Sequence, residues 1–322
     1  MCMPYSCINF IRLFEKFIMS IGSALKPCII PLLTCFLSIC SLQTSFSAAL
    51  PETVFVSILP QKTFVRQISG DTLNIEVMVQ PGASPATYEP RPSQMRKLAE
   101  SRAYFAIGVP FENAWLERIR GVNPAMRIIH TDRNIEKVAM VSHDHETSGA
   151  LEEDHDHHGH SGLDPHIWLS PVLVKKQAET ITAGLIDLFP EHSSLFKTNY
   201  HRFVQRLDAL HAELTEHLKP FRGRAFMVFH PSWGYFAREY GLEQIAVEIE
   251  GKNPKPAQVR EFIELAQKED IRVIFAQQQF STKNAQVIAQ AISGEVVLVD
   301  PLAEDWFTNM KEIAQKFEDA LR

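Results

Sequence analysis

Histidine and acidic side chains are concentrated in residues 143 to 168 of this 322-residue sequence. Seven of the thirteen histidines fall in this window, at His143, His145, His155, His157, His158, His160 and His166. Neutral imidazole is the commonest protein ligand for zinc, and the interleaved aspartates and glutamates add oxygen donors and negative potential. The window therefore predicts cation binding.

Three residues present a ligand-type side chain on ordered segments outside the polar part of this window: His166, His230 and Asp300. His230 follows a predicted strand at 225–229, and Asp300 follows one at 296–299, so both face one cleft if these strands are neighbours. Two imidazoles and one carboxylate make a zinc site. A lone histidine after a strand is more often a hydrogen-bonded structural residue, however, and Asp-Pro is commonly a turn. Both interpretations stay open at this point.

The elements that must position these residues alternate between strands and helices, which is typical of a parallel sheet covered by helices. The predicted strands are 53–59, 73–79, 104–107, 126–129, 225–229, 244–249, 273–276 and 296–299. The predicted helices are 61–68, 93–99, 111–120, 191–219, 233–239, 256–269, 283–292 and 304–321.

The helix predicted at 191–219 is the longest, because this stretch lacks Pro and Gly and its apolar residues recur at three- and four-residue steps. At 1.5 Å per residue it extends roughly 40 Å, which is enough to span two halves of the protein. The predicted fold class is therefore α/β, with two βα lobes, each built on a parallel sheet, joined by one long rigid backbone helix. We expect small ligands in the cleft between the lobes, where the carboxyl ends of the strands converge.

The first 48 residues are predicted to be a signal peptide. The apolar stretch 27–42 follows Lys26 and precedes small residues, with Met19 as an alternative start. A membrane anchor is the alternative, although about 16 apolar residues fall short of the ~20 that a spanning helix needs. Ile39 before Cys40 is too large for a usual lipid-attachment site. We expect an exported, periplasmic protein, with a membrane-tethered form as the alternative.

The mature chain then divides into an N-terminal lobe at 49–190, the connecting helix at 191–219 and a C-terminal lobe at 220–322. The N-terminal lobe includes a polar, histidine-rich and acidic segment at 132–162, which predicts a mobile loop.

Composition excludes several classes of protein. A formal net charge of -6 without a basic cluster argues against nucleic-acid binding. All five cysteines lie within the first 40 residues, which excludes disulfides and thiolate ligands downstream. No HExxH pair or other general base stands at a fixed spacing from the candidate ligands, so a zinc hydrolase is disfavoured and we expect no enzymatic activity.

Five motifs in the sequence resemble the zinc and manganese solute-binding receptors of bacterial ABC uptake systems: PGASPATYEPRPS, DPHIWLSP, FHPSWGYFAREYGL, EIEGKNPKP and VDPLAEDW. The resemblance covers essentially the whole mature chain. It implies two α/β lobes with the metal between them, and it puts His166, His230 and Asp300 on three of the family's metal ligands. It also implies an ABC permease membrane subunit as partner, a monomer, and Zn²⁺ as the transported ligand rather than a catalytic cofactor.

Ligand type favours zinc over manganese, since manganese prefers more oxygen donors. The first ligand of the family does not match, because Pro85 is followed by Ala86 where the family pattern has histidine. A loop histidine could complete the site, a water could occupy the fourth position, or the site could have lost zinc. The candidate accessory or fourth ligands are His143, His145, His155, His157, His158 and His160. An alternative function is a periplasmic zinc buffer or chaperone that acts mainly through this loop.

Overall fold

Two four-stranded parallel sheets organise the part of the chain that the computed structural model describes, residues 51–140, 162–248, 252–280 and 282–322. These residues belong to one compact unit, Pro51–Arg322. The predicted leader and the six candidate accessory histidines from His143 to His160 lie outside the described residues. Within the described residues, no helix combines the length and the apolar character needed to cross a membrane.

The first sheet has the strand order β2-β1-β3-β4 and the second has β6-β5-β7-β8. Neighbouring strands are parallel in both. The first sheet consists of β1 (Thr53–Val56), β2 (Asn74–Val77), β3 (Ala103–Ala106) and β4 (Arg127–His130). The second consists of β5 (Ala225–Val228), β6 (Glu243–Ala246), β7 (Val273–Ala276) and β8 (Glu295–Leu298). The central strands are buried on both faces, as expected for parallel sheets covered by helices.

Nine α-helices connect or cover these strands in the described part of the chain. They are α1 (Leu59–Ser69), α2 (Pro92–Leu98), α3 (Pro110–Val122), α4 (Pro171–Leu188), α5 (Ser193–Leu218), α6 (Gly234–Tyr240), α7 (Pro256–Lys268), α8 (Lys283–Ala291) and α9 (Trp306–Leu321). Short 3₁₀ turns occur at Ile167–Leu169, Pro190–His192 and Lys219–Phe221. The predicted fold class is confirmed: two parallel-sheet lobes are joined by a long helix.

Helix α5 has 26 residues, and the 3₁₀ turns at its two ends account for the slightly longer predicted span. Its buried face carries an apolar stripe at three- and four-residue spacing, made by Phe196, Phe203, Leu207, Leu210, Leu214 and Leu218. Its partner α4 has no counterpart among the predicted elements. The Ser170 side chain caps α4 by accepting a hydrogen bond from the backbone N–H of Leu173, at 3.2 Å.

The two lobes are joined by packing as well as by α5. The Trp168 indole N–H donates to the Pro301 carbonyl at 2.7 Å, and the Trp306 indole N–H donates to the Trp168 carbonyl at 2.8 Å. Trp306 also packs edge-on against Phe64 of α1, with ring centroids 5.2 Å apart. One continuous apolar core therefore includes residues of both lobes, and we expect little independent movement of the lobes.

The strand order of each sheet reverses beside its first strand, at β1 and β3 in one lobe and at β5 and β7 in the other. Ligands of open parallel sheets bind outside the carboxyl ends of the strands at such a switch point. His230 lies there, two residues beyond β5. Strand β5, which precedes His230, and strand β8, which precedes Asp300, are not neighbours, because β7 lies between them. The expectation that depended on their being neighbours is not met.

Candidate metal centre

His166 lies in the Asp164-Pro165-His166 segment, immediately before the 3₁₀ turn that leads to α4. Its imidazole Nδ1 lies 2.7 Å from the Asp164 carboxylate, which also accepts the backbone N–H of His166 at 2.9 Å. Asp164 is 2% exposed and His166 is 7% exposed. A buried carboxylate therefore fixes the orientation of the ring and directs Nε2 away from Asp164.

The second lobe holds the Asp164 segment in place. The Tyr235 hydroxyl donates to the Asp164 carbonyl at 2.9 Å and accepts the Val138 backbone N–H at 3.2 Å. Burial raises the pKa of Tyr235 to about 12, so the hydroxyl keeps the proton that it donates. Gly234 packs beside Asp164, where a Cβ would come within 2.9 Å of a carboxylate oxygen. Helix α6 can approach the carboxylate this closely only because residue 234 has no side chain.

His230 has the same arrangement as His166. Its Nδ1 is hydrogen-bonded to the carboxylate of Glu248, which follows the neighbouring strand β6 and is 7% exposed. The buried Gln277 amide binds the His230 backbone on both sides: its Nε2 donates to the carbonyl at 2.9 Å, and its Oε1 accepts the N–H at 3.3 Å. Phe280 stacks on the imidazole with ring centroids 4.6 Å apart. His230 is thus held by its backbone, its ring face and Nδ1.

The two imidazoles face each other across the interlobe cleft with ring centroids 5.2 Å apart and planes at 74°. Zn–N bonds of about 2.0 Å in a tetrahedral arrangement put the centroids of two ligating imidazoles roughly 5 Å apart. Within the described part of the chain neither Nε2 atom has a hydrogen-bond partner. The pair therefore has the spacing and the free nitrogen atoms that zinc requires.

Burial lowers the pKa of His230 below its ordinary value, because removing water disfavours the charged imidazolium. The hydrogen bond that His230 Nδ1 makes to the Glu248 carboxylate opposes this effect, and the nearby His166 adds to it. The neutral ring is the form that binds a metal. The site thus keeps His230 ready for coordination near neutral pH.

A cavity of about 60 Å³ contacts both rings, and Pro85 and Ala86 form part of its wall. Ala86 is exposed, so the cavity opens to solvent on the side of the proline-rich loop. The loop lies beside the two histidines, as the resemblance implies, and a methyl group stands where the family pattern has histidine.

Asp300 does not join the two histidines in the described structure. Its carboxylate accepts the Leu302 backbone N–H at 2.9 Å and the Gln279 side-chain N–H at 3.4 Å, and it borders a neighbouring cavity of about 130 Å³. Among the described residues, no three His, Cys, Asp or Glu side chains are grouped closely enough to hold a metal ion. Gln279 and Leu302 contact both cavities.

The ends of the histidine-rich segment lie at the edge of the site. Ala139 and Leu163 form an antiparallel bridge, and the Met140 N–H donates to the Gly162 carbonyl at 3.1 Å. Met140 borders the same cavity as His166 and His230. The segment between these ends, including its histidines, lies outside the described residues.

Three residues that support the imidazoles were not identified from the sequence: Asp164, Glu248 and Gln277. Gln277 directly follows β7, Glu248 lies two residues beyond β6, and Asp164 lies two residues before His166. These positions are the signal that could have identified them. The roles of Glu248 and Gln277 also depend on the order of strands β6, β5 and β7, which the sequence pattern does not contain.

Comparisons with known proteins agree with this arrangement. Residues 54–320 match the family model described as zinc-uptake complex component A, periplasmic. A crystal structure of ZnuA has 38% sequence identity and a TM-score of 0.77, covering 85% of this chain and 100% of that one. A zinc-bound ZnuA deletion mutant has 39% identity and a TM-score of 0.75, covering 84% and 98% of the two chains.

Among the relatives by sequence is the zinc-binding protein AdcA of Streptococcus pyogenes serotype M3, which is 25% identical over 279 residues. The match covers 80% of this chain and 54% of AdcA. The chain thus spans about half the length of this relative.

Proposed function

Because the chain belongs to the periplasmic zinc-uptake component A family, we propose that it is the metal-binding receptor of an ABC importer. It captures Zn²⁺ between its lobes and delivers the ion to a membrane permease, without bond chemistry of its own. Family membership favours this function over a zinc buffer that acts through the histidine-rich loop. A periplasmic location follows from the family description, and export would depend on the predicted leader at residues 1–48.

The observation that carries the proposal is the pair of imidazoles, His166 and His230, each with a buried carboxylate on Nδ1. A carboxylate on the second nitrogen sets the tautomer and raises the basicity of a metal-ligating histidine. The separation of the rings fits one zinc ion, and burial keeps His230 neutral. We propose that Nε2 of each ring binds zinc.

Asp300 is proposed as a third ligand that becomes available when zinc binds. Its carboxylate borders the cavity of about 130 Å³, which shares Gln279 and Leu302 with the histidine cavity, and its contact with Gln279 is long at 3.4 Å. Both of its contacts, with Gln279 and with the Leu302 backbone N–H, are made by Oδ1, so we propose that Oδ2 binds the metal. The loop histidines remain proposed accessory sites that raise the local zinc concentration.

A zinc titration of His230→Ala tests this function, with His201→Ala as the matched control because His201 is exposed on α5. We expect His230→Ala to lose tight 1:1 binding and His201→Ala to bind as the wild type does. Unchanged affinity in His230→Ala would show that the proposed cleft site is wrong.

A further inference from the structure

The wall of the cavity beside the two histidines is apolar. Of its fourteen described lining residues, ten are apolar, and the four polar ones are Ser84, His166, His230 and Gln279. The Ser84 hydroxyl already accepts the Ala86 backbone N–H at 3.2 Å. Among the described residues, the cavity therefore offers few groups besides the two imidazoles that could bind a polar ligand.

Hydrated zinc fits this wall poorly. A tetrahedral ion bound by two imidazoles needs two more donors, and Asp300 is the proposed source of one of them. If water supplied the other, it could hydrogen-bond only towards the solvent-exposed mouth beside Ala86, because the described wall presents proline, valine and leucine carbon. An organic donor would instead place carbon against carbon.

The position beside Ala86 has room for such a donor. Ala86 is exposed and the cavity opens on its side, so a small molecule can enter without displacing the core. The volume of about 60 Å³ exceeds the roughly 10–15 Å³ that such a cavity needs to hold one water. The flanking Pro85, Val109 and Pro110 offer flat apolar surfaces to a ring.

We propose that the site takes zinc together with a small imidazole-bearing molecule, such as free histidine. The ring nitrogen of this molecule occupies the coordination position beside Ala86, and its carbon atoms contact the apolar wall. The cargo is then a zinc complex with one organic ligand rather than the bare ion. This inference rests on the proposed function, since it uses His166 and His230 as the protein's own ligands.

Cobalt(II) substitution tests the proposal, because the visible spectrum of Co²⁺ reports its ligands and geometry. The full mature chain is loaded with one equivalent of Co²⁺ in imidazole-free buffer, and imidazole is then added. We expect a saturable spectral change in the wild type, with a 1:1:1 complex of protein, metal and imidazole in native mass spectrometry. Ala86→His should show the imidazole-type spectrum from the start and should not respond further.

Thr87→His is the matched control, because Thr87 is exposed in the same loop and does not line the cavity. It should respond to imidazole as the wild type does. A wild-type spectrum that imidazole leaves unchanged overturns the proposal. If deletion of residues 143–160 then creates a response, a loop histidine holds the position, which also overturns it.

Failure of the proposed function would look different from failure of this inference. In that case His230→Ala would bind Co²⁺ as tightly as the wild type, whatever imidazole does. If His230→Ala loses Co²⁺ binding but the wild type does not respond to imidazole, the receptor function stands and only the organic ligand is rejected.

Discussion

Replacement of Glu248 tests whether a carboxylate behind the metal-facing ring contributes to zinc affinity. Glu248 is buried and hydrogen-bonded to Nδ1 of His230, while the backbone of His230 is held separately by Gln277. Removal of the carboxylate should therefore lower the basicity of the imidazole more than it changes the position of the ring. Loss of such a partner typically lowers metal affinity about 10- to 100-fold.

Two substitutions should fall at the two ends of this range. Glu248→Gln keeps an oxygen that can accept a hydrogen bond from Nδ1–H but removes the charge, so we expect about a tenfold loss of zinc affinity, or about 1.4 kcal/mol. Glu248→Ala removes the acceptor as well, and we expect about a 100-fold loss, or about 2.8 kcal/mol. Competition titration against a chromophoric zinc chelator at pH 7 measures both values.

Competition between protons and zinc for His230 would change the affinity in the direction opposite to the expected loss of zinc affinity. Glu248 raises the pKa of His230, so its removal makes the free imidazole easier to keep neutral. Weaker zinc binding in the variants would therefore result from the loss of the Glu248 hydrogen bond to the zinc-bound imidazole. Glu243→Gln is the matched control, because Glu243 is exposed on the same strand β6. Equal zinc affinity in wild type, control and Glu248→Ala would refute the reasoning.

Three further predictions concern stability. Burial raises the pKa of Glu112 to about 7. Its contribution to the free energy of unfolding is therefore complete below its ordinary pKa of 4.5, and about 3 kcal/mol of it is lost as the pH rises towards 7. Urea unfolding from pH 4.5 to 8 should show this fall in the free energy of unfolding, and Glu112→Gln should remove it. Gln177 is fully buried and neither of its amide atoms has a hydrogen-bond partner among the residues that the structure describes, so Gln177→Met should raise the free energy of unfolding by about 1 kcal/mol. Trp168→Phe leaves the Pro301 carbonyl without its donor and should cost about 1–3 kcal/mol, whereas Trp115→Phe, at a half-buried site, should cost little.

Each of these predictions has a contradicting result. A Glu112→Gln variant that keeps the wild-type dependence on pH would assign the slope to other groups. A destabilised Gln177→Met would mean that the amide has a stabilising contact after all. Equal unfolding midpoints for Trp168→Phe and Trp115→Phe would show that the indole bond between the lobes contributes nothing measurable.

Periodic patterns in the sequence predicted most of the fold. Helix α5 was recognisable because its apolar stripe is long and uninterrupted by Pro or Gly. Helix α4 is absent from the predicted elements, although its buried residues Val174, Ala178, Ile181 and Leu185 have helical spacing. Strands β1, β2, β5 and β6 are shorter than predicted, since apolar character continues into the loops that follow them, whereas the other four strands have the predicted length.

The candidate site was predicted in part. His166 and His230 are ligand-type residues at strand or loop ends, which a local pattern can identify. The Glu248 carboxylate could not be assigned, because Glu248 meets His230 only through the pairing of β6 with β5, whereas Asp164 lies two residues before His166 in the same motif. Asp300 was expected beside His230, but strand β7 separates their strands, and the side chain contacts Leu302 and Gln279 instead.

Zinc K-edge X-ray absorption most directly tests the claim that His166 and His230 hold the metal. The sample is the mature chain without residues 143–160, loaded with one equivalent of zinc in imidazole-free buffer. We predict two imidazole ligands at about 2.0 Å in this protein and one in its His230→Ala variant, if the variant retains zinc at all. An unchanged number of imidazole ligands after His230→Ala, or none in the parent protein, would contradict the account.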